Sequence, residues 1–238
     1  MIPLYYDLHL HSCLSPCGDD EMTPSNIVGF ATLNGLDVIA VTDHNSCKNC
    51  LASMKCGEAY GITVIPGMEL CTSEEVHVLC LFPSIQDAMD FDTYVYKHLI
   101  PITNKEDIFG RQQICNEDDE ITGTVRNLLI NSTDISFDSV SNLVSEYHGV
   151  WIPSHIDKNT TSLLSNLGFV PPDASFTCFE IQDLTHLHKL RKDNPYLNSC
   201  NVICNSDAHY LKDIRKQQYQ LHARSNSIVD ILSAITRN

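Results

Sequence analysis

The chain has 238 residues, 43% of them apolar, with 15 Lys and Arg against 30 Asp and Glu and a formal net charge of −15. This suits one globular domain over residues 1–238 and argues against duplex DNA as a main partner, because phosphate binding rests on Lys and Arg. No apolar run approaches the roughly 18 residues of a membrane span, the opening Met1 to Ser12 lacks the basic stretch of a secretory signal, and eleven cysteines, an odd number, read as reduced thiols of a cytoplasmic protein.

In chain order, Leu4 to Leu10 alternates as a strand. Thr23-Pro24 supplies an N-cap and a first-turn proline for a helix that stops at Gly35. Asp37 to Thr42 is a short β-branched run, the signature of a buried parallel strand. A helix from Cys47 to Tyr60 closes at Gly61, strands follow at Ile62 to Ile65 and Val76 to Phe82, and Ile85 to Leu99 is helical. Residues 101–133 break the rhythm. Asn104 to Glu120 is polar, with six acidic residues against Lys105 and Arg111, and reads as an insertion on the functional rim. Ser136 to His148 is a helix closed by Gly149, Val150 to Ser154 a strand, and Thr161 to Leu167 a helix. Short strands at Cys178 to Ile181 and Asn201 to Cys204 precede a closing helix at Ile228 to Ile235. Such alternation predicts an α/β fold with a parallel sheet, either a closed barrel or a doubly wound sheet.

His9-Leu10-His11 ends the first strand, and side chains at i and i+2 of a strand share a face. Asp7 is expected on that face, orienting one imidazole. The pattern repeats along the chain. Thr42-Asp43-His44 closes the second strand and Glu69 lies just past the third. His77 sits in the next strand, His155 ends another, and Asp207-Ala-His209 follows a late one. Charged groups rarely occupy buried strand ends unless paired or bound to metal. Several in register predict a polynuclear centre for Zn, Mn or Fe.

Asp7-Leu-His-Leu-His-Ser12, Thr42-Asp-His-Asn-Ser46, Pro66-Gly-Met-Glu69 and Asn205-Ser-Asp-Ala-His209 together resemble the motifs of the PHP superfamily, the polymerase-and-histidinol-phosphatase metallo-phosphoesterases. The resemblance runs from His9 to His209 with four motifs in order. It implies a distorted (β/α)7, TIM-like barrel with two to three divalent ions at the C-terminal ends of the strands. It implies the ligands His9, His11, Asp19, His44, Glu69, His77, His155, Asp207 and His209, with Glu69 bridging and with Glu69, Asp207 and His209 in catalysis. The segment Cys13 to Gly18 is longer than the family's usual stretch, so Asp20 is an alternative to Asp19, and counting back from Thr23-Pro24 favours Asp19. His155 is followed by Ile156 and Asp157 where many members have proline.

A bridging carboxylate suits the two-metal geometry of in-line displacement at phosphorus. Bound ions would also let an acidic protein take an anion, because they set the local field. Lys158, Asn45 and Arg111 are the candidates to hold that anion, Arg111 also reading as an ordinary surface cation. The expected activity is hydrolysis of a small phosphate monoester, of histidinol-phosphate or nucleotide type, by activated water. One alternative is a 5′-3′ exonuclease or a 3′,5′-bisphosphonucleotide phosphatase acting on short nucleic-acid ends. That predicts a basic groove or stacking platform, for which only Tyr5, Tyr6 and Tyr210 lie near the motifs. A non-catalytic metal-binding module and an amide or lactone hydrolase are the others.

Cys47-x-x-Cys50 and Cys200-x-x-x-Cys204 have no second pair to close a zinc site, so they read as thiols, the first partly exposed and the second partly buried. His186-x-His188 falls in a helical stretch, where i and i+2 do not share a face, and His98, His148 and His222 read as surface residues.

Overall fold

The computed structural model describes residues 1–236. Ten strands run in chain order: β1 Ile2–Leu10, β2 Val38–Val41, β3 Thr63–Cys71, β4 His77–Leu81, β5 Gln113–Cys115, β6 Ile121–Thr124, β7 Val150–Pro153, β8 Cys178–Glu180, β9 Asn201–Ile203 and β10 Gln220–Ala223. The helices are α1 Pro24–Leu33, α2 Cys50–Tyr60, α3 Ile85–His98, α4 Glu106–Phe109, α5 Phe137–Glu146, α6 Leu163–Leu167, α7 Leu187–Asp193 and α8 Ile228–Thr236. None of them is long and apolar enough to cross a membrane.

The main sheet has the order β10-β1-β2-β3-β4-β7, and β8-β9 forms a separate parallel ladder. The expected all-parallel sheet is corrected here. β1, β2 and β3 are parallel, but β4 runs antiparallel to β3 and β7, and β10 runs antiparallel to β1. The sheet curls. Ile156 N–H donates to Glu180 O, tying the end of β7 to β8. His11 N–H donates to Ala208 O, tying the end of β1 to the chain beyond β9. One apolar cluster, including Leu8, Ala40, Ile65, Leu79, Ile152, Cys178 and Ile203, fills the concave side and is closed below by Ile231 and Leu232 of α8. On the convex side Ile27, Val28 and Ala31 of α1 pack on Ile39 and Val41.

Two local features position the site. The first is a register slip in β1: Asp7 pairs with Ile39 but Leu10 with Val41, so β1 carries one extra residue. A bulge of this kind turns the strand. Leu8 joins the concave cluster and Leu10 the convex one. The alternation inverts, and the shared-face rule that linked Asp7 to His9 fails. Asp7 instead accepts from Ser206 N–H at 3.0 Å.

The second is β3, which the sequence pattern ends at Ile65 but which continues to Cys71. Its first half pairs with β2 through Pro66 and its second half with β4 from Gly67 onward. The change of partner falls on Gly67, where a Cβ would lie 2.8 Å from Cys80 O and from Leu81 Cδ2. Glu69 is thereby a residue within a strand rather than just past one.

Residues 101–133 carry α4 and a β5–β6 hairpin. Gln112 clamps their return path, donating to Val125 O and Asn127 O and accepting from Leu129 N–H.

Candidate metal centre

Glu69 is the hub. Its carboxylate lies 3.0 Å from His155 Nε2, 3.1 Å from both His44 Nδ1 and His77 Nδ1, 3.3 Å from His9 Nε2 and 3.5 Å from His11 Nε2. Asp207 Oδ1 adds a second carboxylate, 3.4 Å from His9 Nε2 and 3.3 Å from His11 Nε2. His209 stacks on His11 with ring centroids 4.2 Å apart. Thus eight of the nine ligands expected from the resemblance converge. Three groupings have donor atoms close enough for one cation each: His9, His11 and Glu69; His44, Glu69 and His77; and His11, His44 and His209.

The ninth residue does not join them. Asp19 Oδ1 accepts from Glu21 N–H at 2.9 Å, within its own turn. Asp20 points outward to Arg111 and Gln113. Asp19 still sits beside the cluster, its N–H donating to His209 O at 2.9 Å, whereas Asp20 is exposed.

The electrostatics of the cluster follow from its crowding of imidazoles and carboxylates. Burial by itself would raise the Glu69 carboxyl, but His77, His9, the hydrogen-bonded His155 and the nearby His44 hold it well below the carboxylate range. Burial likewise opposes ionisation of Asp207, and His9 and His11 override it. Burial, followed by the charges of His209 and His44, drives His11 well below the usual imidazole value. Glu69 Oε2 and His44 Nδ1 are 3.1 Å apart, yet neither has an aligned hydrogen bond, and His155 Nδ1 is also buried without one. Buried polar atoms left unpaired are costly. A cation between such lone pairs removes the cost, so this donor set of imidazoles and carboxylates fits divalent ions.

The backbone is bent to make the cluster. Asp207 has φ 56° and His155 φ 31°, in the left-handed region that non-glycine residues rarely adopt. Such outliers gather at functional sites.

The three anion-holding candidates part company. Lys158 lies on the wall of a cavity of about 400 Å³ above the cluster and pairs with Asp207 Oδ2. Asn45 is fully buried and used up by the chain. Its amide donates to Leu129 O at 2.7 Å and Asn131 O at 2.8 Å and accepts from Cys71 N–H at 2.9 Å. It is a strap that holds residues 129–131 against the end of β3, not a free hand for substrate. Arg111 pairs with Asp20 and lines a neighbouring cavity with Tyr210 instead.

Sequence reasoning missed Glu180, whose two oxygens each lie 3.0 Å from His9 Nδ1. It also missed Ser15 and Asp43 behind His11. Glu180 ends the apolar run Cys178-Phe179, so the strand-end pattern that picked out the other ligands marks it as well. Cys47 and Cys50, expected to be partly exposed, are buried, as are Cys200 and Cys204. Their thiols point at backbone carbonyls, Cys47 and Cys50 at Gly67 O and Cys204 at Gln182 O. His98 and His148 pair at the surface with Asp134 and Asp87.

Curled sheet and strand-end cluster together define an α/β protein built around a histidine–carboxylate centre. The profile of the PHP domain matches residues 7–225, and the chain belongs to that family. An uncharacterised protein of Methanocaldococcus jannaschii is 33% identical over 76 residues, 29% of this chain and 44% of that one. Among solved structures, the lesion-specific endonuclease Q of Pyrococcus furiosus superposes with a TM-score of 0.70 at 19% identity, over 99% of this chain and 56% of that one. A protein assigned as a metal-dependent phosphoesterase, from Bifidobacterium adolescentis, has a TM-score of 0.63 at 16% identity, covering 98% and 96% of the two chains. An amidohydrolase of Chromobacterium violaceum has a TM-score of 0.59 at 16% identity, covering 97% and 96%. The chain thus spans about half the length of the archaeal proteins it matches.

One expectation needs correction. Endonuclease Q is also seen in complex with a 27-mer duplex bearing an abasic lesion at the active site. The fold as such admits duplex DNA, and a net charge of −15 does not exclude it. Net charge is a property of the whole surface, whereas the field at a site is set by the groups and ions within it.

Proposed function

We propose that this protein is a metal-dependent phosphoesterase that hydrolyses a small phosphate monoester of histidinol-phosphate or nucleotide type. The observation that carries the reading is the convergence of six imidazoles with the carboxylates of Glu69 and Asp207, with buried lone pairs left without hydrogen bonds. In this reading the curled sheet is the distorted (β/α)7 barrel of the family, and the cluster takes two to three ions of Zn, Mn or Fe.

Bound divalent ions supply a water of lowered pKa and neutralise phosphate oxygens. The chain's own residues do the rest. Glu69 bridges the two halves of the cluster. Asp207, between His9 and His11 on one side and Lys158 on the other, aligns the reacting end. Lys158 meets the phosphate from the cavity wall. His209, the most exposed imidazole of the cluster at 26%, faces the same cavity and would hold an ion with His11 and His44, and the leaving oxygen takes its proton from solvent that the cavity admits. Ile130 to Ser132, fixed by Asn45, form another wall, which favours a small ester.

The likeness to endonuclease Q supports a second reading, cleavage within or at the end of a nucleic-acid strand. The cavity beside the cluster, with the half-exposed Tyr210 on its wall, offers room for a base. Phosphate release by manganese-loaded protein separates the readings. Turnover of a small ester, abolished by Asp207→Asn, supports the first. Cleavage of a lesion-bearing or 5′-phosphorylated oligonucleotide alone supports the second.

A further inference from the structure

The two imidazoles at the end of β1 can each carry a proton on either nitrogen, and only the Nδ1–H choice leaves the lone pair on Nε2, the nitrogen turned toward Glu69. Their partners decide it. His9 Nδ1 lies 3.0 Å from both oxygens of Glu180. Glu180 is buried, and the same oxygens accept from Asn205 Nδ2 at 2.7 Å and from His155 N–H at 2.9 Å. A carboxylate surrounded by donors can only accept, so His9 Nδ1 bears the proton. His11 Nδ1 lies 3.0 Å from Ser15 Oγ. That hydroxyl donates its own proton to Asp43 Oδ1 at 2.7 Å and already accepts from His44 N–H at 3.1 Å. Its remaining capacity is to accept, so His11 Nδ1 bears the proton as well.

Each Nε2 is then the ring nitrogen left to meet a cation, and the two lie 3.1 Å apart beside Glu69 and Asp207. Asp43 is bound to this task from several sides. It also accepts from Ser12 N–H, Ser12 Oγ and Ser15 N–H, which fixes the turn carrying Ser15.

We infer that Glu180 and the Ser15–Asp43 pair are positioning residues that lock His9 and His11 as Nδ1–H tautomers and so preset the Nε2 pair for metal. The inference rests on reading the cluster as a metal centre. Partners of this kind orient metal-binding imidazoles, and their loss typically costs about 10–100-fold in metal affinity.

The test measures zinc affinity of the whole protein by competition with a chromophoric chelator, and the visible absorption of the cobalt(II)-loaded protein, for wild type, Glu180→Gln and Ser15→Ala. Circular dichroism reports folding of each metal-free protein. Zinc binding about 10–100-fold weaker in folded variants, with an altered cobalt spectrum, is expected. Folded variants with wild-type affinity and spectrum would overturn the inference. A merely structural role would lower the melting temperature and leave both readouts unchanged. If Glu180→Gln does not fold, Ser15→Ala decides, since it removes one hydroxyl and leaves Asp43 its other donors. Tight zinc binding by wild type without any phosphate release, with weakened binding in the variants, supports this inference and overturns the phosphoesterase reading alone.

Discussion

His77 Nδ1 lies 3.1 Å from Glu69 Oε1, one residue opening β4 and the other near the end of β3. The two meet because these strands are antiparallel, with Cys71 opposite His77 and Glu69 opposite Leu79. A parallel β4 would present its last residue at this edge, not its first. The antiparallel turn at Thr72 to Val76 thus adds a ligand to an edge that parallel strands alone would leave poorer. Glu69 in turn touches five of the six imidazoles of the cluster.

Glu69→Gln is therefore expected to lower bound metal by at least one equivalent, because two of the three candidate groupings contain this carboxylate. Metal analysis of the purified variant checks it. Retention of the full wild-type content would remove Glu69 from the bridging role.

Bound metal should also stabilise the fold. Candidate ligands from β1, β3, β4 and the turns after β2, β7 and β9 are drawn to one point. A ligand held only by the folded state stabilises it by about 2.7 kcal/mol at 100 times its dissociation constant. Chelation is expected to lower the melting temperature, and added zinc or manganese to restore it. Identical melting curves with and without metal would argue that the cluster holds none.

Lys158 and Arg111 should separate in kinetics. Lys158→Ala is expected to raise KM and lower kcat/KM by roughly tenfold or more, the loss of one charge-assisted contact to phosphate. Arg111→Ala, which breaks an exposed pair with Asp20, should leave both nearly unchanged. Steady-state kinetics on the ester found active decides. The reverse order would move the substrate toward the cavity at Arg111.

Gly67→Ala tests the change of partner in β3. The added methyl meets Cys80 O and Leu81 Cδ2 at 2.8 Å, and the backbone oxygen cannot yield without shifting β4. Overpacking of this kind costs about 1–3 kcal/mol. Urea denaturation should show it, and metal affinity should fall with it, since Glu69 and His77 flank the shifted ladder.

Thiol chemistry gives a pH-dependent prediction for the metal-free protein. Cys17 is the one cysteine not buried, and partial burial followed by the charge of Glu69 pushes its thiol up to about 12. The thiolate is the nucleophile. At pH 8 only about one Cys17 in 10⁴ is then ionised, and alkylation should accelerate about tenfold per pH unit up to pH 11. The buried cysteines should react only on unfolding. Rapid labelling of Cys47 or Cys50 in the folded protein at pH 8 would contradict their burial beneath β3.

Much of the candidate site was legible in the sequence because most of its residues lie at or near the ends of apolar strands. His9, His11, His44, His155 and Glu69 each follow or close a run of β-branched or apolar residues, and a polar group there has few reasons to exist other than a site. The strands and helices were legible for the same local reasons, with Gly61 closing α2 and Thr23-Pro24 opening α1.

What the chain could not reveal locally is everything set by a partner far away in sequence. Strand direction is one case, since the hydrophobic run of β4 is the same for either orientation and only its pairing with β3 and β7 settles it. The face taken by Asp7 is another, because a bulge inverts alternation and is formed against β2. Glu180 and Asn45 are the last. Both carry polar groups that periodicity cannot aim, and it is the curl of the sheet that brings Glu180 to His9 across 171 residues and the segment around Leu129 to Asn45 across 84. The sequence by itself determined which residues can bind metal. Tertiary structure decided which of them meet, because ligand chemistry belongs to the side chain and convergence belongs to the packing of strands that are distant along the chain.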